Sequence, residues 1–168
     1  MTPEGDICIL EIGYLKAHFK TYLPGSYGHE QFCETLPEAS EAVFVMEYEH
    51  DSLADMLIEF RIIRELTGKR EFTREKDIKK IDDLESITVA YHPPRRELDV
   101  FSITHQFEEP GWYVGIITAR TLALDETYVA VFPFEVGFTG YRYWPFVAFA
   151  IALLGSALYY DSRRERLA

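Results

Sequence analysis

Residues 41–49 read EAVFVMEYE, and residues 56–64 read MLIEFRIIR. In the first stretch Val43, Val45 and Glu47 fall on one side of an extended chain, with Phe44, Met46 and Tyr48 on the other. In the second, Ile58, Phe60 and Ile62 oppose Glu59 and Arg61. A repeat of two is the signature of a strand; a helix would scatter these side chains around its axis. Both stretches therefore predict β-strands with one buried face.

The same grammar extends outward. SITVAYH (86–92) places Ile87, Val89 and Tyr91 on one face, and LDVFSITHQF (98–107) follows the loop HPPRRE (92–97). GWYVGIITAR (111–120), TYVAVFPFEVG (127–137) and an early strand over 16–23 bring the set to at least seven. These segments are rich in β-branched and aromatic residues and are bounded by turn signals such as EEPGW (108–112). No long helical pattern separates them, so the fold class is mainly β, an antiparallel β-sandwich. The most charged segment, 69–85, contains TREKDIKKIDDL (73–84); it predicts a short helix or turn within a mobile loop.

The C-terminus follows another pattern. RYWPFVAFAIALLGSALYYDSRRERLA has no charge from Trp144 to Tyr160. That length is at the short end of what crosses a bilayer. Tyr141, Tyr143 and Trp144 flank it on one side and Tyr159 and Tyr160 on the other, where interfacial aromatic residues concentrate. The reading is three parts: a β-sandwich domain over 1–140, a transmembrane helix over 141–161 and a short basic tail over 162–168. A buried core helix is the alternative, but core helices rarely end a chain with aromatic girdles and an arginine cluster.

Arg163, Arg164 and Arg166 follow the span directly, against Arg142 before it. Cytoplasmic flanks carry the excess of Lys and Arg, so the tail is predicted cytoplasmic and the sandwich extracytoplasmic, on the periplasmic side of the cell (inner) membrane. Residues 1–20 show no basic, apolar and small-residue succession of a signal peptide, so this orientation requires an export signal outside the sequence. A tail-anchored protein with a cytosolic domain is the rival and would break the charge bias. Within the span, Ala148, Ala152 and Ser156 recur every fourth residue, a stripe of small side chains that lets a partner helix approach closely in lipid.

Charge narrows the ligands. Of the 28 acidic and 17 basic residues, 26 and 13 precede Arg142, so that part carries a net charge of −13 and the remainder +2. Such a domain repels nucleic acid and anionic lipid. Cys8 and Cys33 are the only two cysteines. In an exported domain this even count predicts a disulfide; the alternative is two buried thiols that never meet. His18 and His29 near them match no strong zinc spacing.

GWYVGIITARTLALDETYVAVFPFEVG (111–137) resembles the last hairpin of bacterial exported immunoglobulin-like domains of the YtkA/FixH-like kind. QFCETLPEASEAVFVMEY (31–48), leading into LIEFRII (57–63), resembles their earlier strands. The resemblance implies an immunoglobulin-like sandwich and a role as an accessory or assembly module of a membrane complex, respiratory oxidases included. It transfers no functional residue, because no metal-binding motif matches. Met46 and Met56 read as core or strand-edge residues.

No nucleophile elbow, phosphate loop or zinc-binding His-Glu pair occurs. The histidines are scattered, with His92 before Pro93-Pro94 and His105 on a sheet surface. The sequence thus points away from an enzyme, a cofactor or a small-molecule substrate. It points toward a single-pass, non-catalytic accessory subunit of a membrane complex, with the helix and the bilayer as its contacts. The alternative is a membrane-anchored metal-handling or assembly chaperone.

Overall fold

The computed structural model describes residues 2–4, 7–98, 100–121, 126–137 and 146–153. The chain divides into two units, 1–138 and 139–168.

The first unit is a two-sheet β-sandwich. Its strands in chain order are β1 (Thr2–Glu4), β2 (Ile7–Ile12), β3 (Leu15–Tyr22), β4 (Gln31–Phe32), β5 (Thr35–Leu36), β6 (Glu41–Tyr48), β7 (Met56–Arg64), β8 (Thr88–Arg95), β9 (Val100–Gln106), β10 (Gly111–Thr121) and β11 (Thr127–Val136). The first sheet has the order β1-β2-β3-β6-β9 with β4 beside β3, and the second has β5-β11-β10-β7-β8. The alternating stretches become β6 and β7 as their period requires. Phe44 and Met46 are fully buried, while Val43, Val45 and Glu47 lie outward.

The inner faces meet in an aromatic core. The Phe19 and Phe132 rings lie 4.6 Å apart, and Phe44 contacts Phe60 at 5.8 Å and Phe134 at 5.7 Å, each pair joining the two sheets. Such ring pairs contribute about 0.5–1.5 kcal/mol beyond their burial.

Four points differ from the sequence reading. First, β1, β2, β4 and β5 join the seven expected strands. Second, β5 runs parallel to β11, so the sheets are not wholly antiparallel; Glu135 and Gly137 donate backbone hydrogen bonds to Glu34 and Leu36 across that seam. Third, the HPPRRE loop is partly strand, because β8 continues through Pro93 and Pro94 to Arg95. Both prolines are tolerated because β8 is an edge strand.

Fourth, Tyr91 faces outward. The β7–β8 register shifts between Ile62 and Ile63, where two residues of β8 advance against one of β7. A one-residue slip exchanges the faces of a strand. Ala90 therefore stands opposite Ile62 and His92 opposite Phe60, while Tyr91 lies exposed beneath the Arg61 guanidinium, 4.4 Å from its ring centre.

Segment 65–87 is packed against the second sheet. It contains a 3₁₀ turn (Arg70–Phe72) and α2 (Glu75–Ile78), the latter following α1 (Asp51–Ala54) in the chain. Ile78, with Ile81, Leu84 and Ile87 beside it, covers Ile63, Val114 and Ile116 on the outer face of the sheet and forms a second small core. The sheet is thus buried on both faces, and residues 113–117 of β10 are buried without alternation.

In the second unit residues 146–153 are helical, and Phe146, Val147, Phe149 and Ile151 are exposed. The rest of the predicted 141–161 helix and the 162–168 tail lie outside the described residues. No helix among the described residues is long and apolar enough to cross a membrane.

Candidate functional site

Cys8 lies buried on β2, and Cys33 lies between β4 and β5. Their Cα atoms are 5.8 Å apart and the two are bonded. The position matters because residues 31–36 cross between sheets: β4 pairs with β3 of the first sheet, and β5 with β11 of the second. Each of these strands has only two residues, too few to hold the crossing by ladder bonds alone. The bond ties the crossing to β2.

Of the helix stripe, Ala148 and Ala152 are helical and exposed, and Ser156 lies outside the described residues. The four-residue spacing puts Ala148 and Ala152 on one face of the helix.

The histidines remain apart, and no group of three His, Cys, Asp or Glu able to hold a metal ion occurs among the described residues. His18 faces Glu49 at 2.6 Å across the outer side of the first sheet. His92 packs its ring edge-on to Phe101 at 5.2 Å. His105, expected on a sheet surface, is half-buried and packs edge-on against Phe107 at 4.7 Å. Burial pushes its pKa below the usual histidine value, the nearby Glu108 opposing this in part, so it is neutral near pH 7. Met46 and Met56 are core residues.

His105 lines an open recess of about 270 Å³ at one end of the sandwich, with Arg64, Glu109 and Tyr113. Arg64 donates to Glu109 at 2.6 Å, and the Tyr113 hydroxyl donates to the Glu109 carbonyl at 2.7 Å. Arg64 and Glu109 pair within the recess, Glu108 also lines it, and a neutral imidazole stands against an aromatic wall. It holds no nucleophile with an adjacent base.

The beginning of the 65–87 segment is held by a polar knot. Burial raises the pKa of Glu65, but hydrogen bonds from the Thr67 hydroxyl and N–H, the Thr73 hydroxyl and the Arg70 N–H outweigh it, leaving the carboxyl below its ordinary value. The Lys69 ammonium, 2.5 Å from the buried Asp77 carboxylate, holds that group low as well, against its burial and with help from the Arg74 N–H. No sequence pattern marks this knot, because its members are common surface types whose partners are set by the fold of the segment.

Beyond the knot, the segment and the outer face of β7, β10 and β11 enclose a groove of about 610 Å³. Ile78, Ile81, Leu84, Ile116, Val129 and Val131 supply its apolar lining, and Asp82, Asp83 and Glu85 stand among its polar residues.

No family model matches the chain, and none of the curated proteins does. Among solved structures, the crystal structure of the PmoD soluble domain from Methylocystis sp. ATCC 49242 (Rockwell) is similar, with a TM-score of 0.65 at 25% sequence identity. The match covers 79% of this chain and 100% of that one, so the sandwich described above is similar to the whole of the PmoD soluble domain.

Proposed function

We propose that this chain is a single-pass, membrane-anchored, non-catalytic accessory subunit of a membrane complex. In this reading an immunoglobulin-like sandwich stands on the extracytoplasmic side, and a C-terminal helix packs against an integral-membrane partner. The observation that carries the proposal is the match to a domain named as the soluble domain of PmoD. That match leaves about a fifth of this chain over, close to the share of the 139–168 unit. In that unit the uncharged run from Trp144 to Tyr160 begins, and its described helical residues present Phe146, Phe149 and Ile151 to the outside. The Cys8–Cys33 bond suits an oxidising compartment. The recess at the sandwich end, whose one cation, Arg64, is paired with Glu109, fits a structural role better than a catalytic one.

Two measurements test the proposal. Alkaline phosphatase fused after Gly137, with the native upstream gene region kept, is expected to be active; an inactive fusion reverses the orientation. Ala152→Phe raises the hydrophobicity of the helix but removes close packing, so the protein should stay in the membrane and lose its partners in mild-detergent pull-downs. Ile151→Phe on a neighbouring face should keep them. If Ala152→Phe also keeps every partner, the helix is only a tether.

A further inference from the structure

The groove beside segment 65–87 combines an apolar lining with unbalanced charge. Its two cations are already matched: Lys79 lies 2.6 Å from Glu75, and Arg61 donates to the Thr88 hydroxyl at 2.9 Å beside Glu59. Asp82, Asp83 and Glu85 are exposed, and none has an ion-pair partner among the described residues. Asp83 accepts a hydrogen bond from the Ser86 N–H, which fixes the turn carrying Glu85 and directly following Asp82.

We infer that this groove docks a short segment of a partner protein in which apolar side chains alternate with Lys or Arg. The volume of about 610 Å³ lies within the range of built ligand sites, roughly 300–1,000 Å³. The floor crosses three adjacent strands, β11, β10 and β7, about 10 Å in all, enough to seat two or three side chains of a peptide. The apolar lining supplies burial, and the three unmatched carboxylates favour a basic partner and repel an acidic one. The same charge repels anionic lipid, which disfavours an anionic membrane surface as the occupant. This surface does not depend on the anchor: it belongs to the sandwich and would serve the domain with or without a helix partner.

The test uses the full chain in nanodiscs of zwitterionic lipid, with empty discs as the blank, and a fluorescein-labelled peptide of alternating Leu and Lys as the probe. Fluorescence anisotropy should show saturable binding that weakens as salt rises. The double substitution Asp82→Lys, Glu85→Lys, at exposed positions that tolerate it, should lower affinity by about tenfold or more. Val129→Trp, which fills the floor, should do the same at any salt concentration. Asp51→Lys, outside the groove, should change nothing. Equal affinity in the charge-reversed and unaltered chains overturns the inference, as does equally tight binding of a Leu–Glu peptide. Absence of binding to the full chain also overturns it, including the case in which a chain ending at Tyr160 does bind, since the occupant would then be the chain's own basic tail. Should Val129→Trp unfold, the charge reversals still decide.

Discussion

Gly115 on β10 stands directly opposite Phe132 on β11, and the Phe132 ring occupies the space that a Cβ at position 115 would fill. That ring is fully buried and touches both Phe19 and Phe60, so it has no room to withdraw. Gly115→Ala should therefore destabilise the sandwich by about 1–3 kcal/mol, the usual cost of overpacking a filled core. Denaturant unfolding checks this. Adding Phe132→Leu should cost less than the two single changes together, because the residues share one volume. Strict additivity would show that the glycine serves something else.

The Cys8–Cys33 bond closes a sequence separation of 25 residues. On the chain-entropy account it stabilises the fold by about 3–4 kcal/mol. Non-reducing peptide mapping of protein isolated from its native cells should find the two peptides linked. Replacing both cysteines by serine should lower stability by that amount and raise hydrogen exchange first over residues 31–36, where the chain crosses between sheets. A loss spread evenly over the sandwich would contradict the local role.

Acid should release the 65–87 segment before it unfolds the sandwich. The Glu65 and Asp77 carboxyls both sit below their ordinary values of 4.5 and 3.8. A depressed carboxyl pKa contributes stability that is present above the unfolded value and lost as pH falls through the folded one. The knot is therefore intact near neutral pH and weakens below roughly pH 4. Trp112 reports on it, because it lines a recess with Glu71, Thr73 and Arg74. In a Trp144→Phe background its emission should shift red on acidification while far-UV circular dichroism still shows strands. Asp77→Asn should produce the shifted emission already at neutral pH; a normal emission there would refute the knot.

The Tyr48 hydroxyl is buried and has no hydrogen-bond partner among the described residues. Burial raises its pKa to about 12, with Glu97 adding to the rise and Arg95 opposing it. An unpaired buried hydroxyl costs roughly 1–3 kcal/mol, so its removal relieves a penalty. Tyr48→Phe should leave stability unchanged or raise it by about 1 kcal/mol in thermal unfolding. A clear loss would reveal a partner for the hydroxyl.

Most of the local geometry of the described strands can be read along the chain. EAVFVMEYE and MLIEFRIIR had to be strands because only an extended backbone separates their apolar and polar side chains, and both became strands with those faces. The composition of the 144–160 run likewise follows from the residues alone. The cysteine pair was legible only as an even count, and its position at the sheet crossing needed β4 and β5, which are too short to leave a periodic signal. The face of Tyr91 was misread because a single extra residue in a bulge inverts the alternation, and no local pattern marks where the register slips.

Segment 65–87 was legible only in part: the short helix expected within 73–84 is present as α2, but the packing of the segment on the sheet was not foreseen. Its isoleucines and leucine are spaced among charges as in a solvated loop, and they acquire a purpose only where the second sheet presents Ile63, Val114 and Ile116. The groove exists only once these two surfaces meet. Periodicity is a property of one segment and can be read along the chain. A crossing, a bulge register and a groove are relations between distant segments, fixed by which surfaces must be buried together.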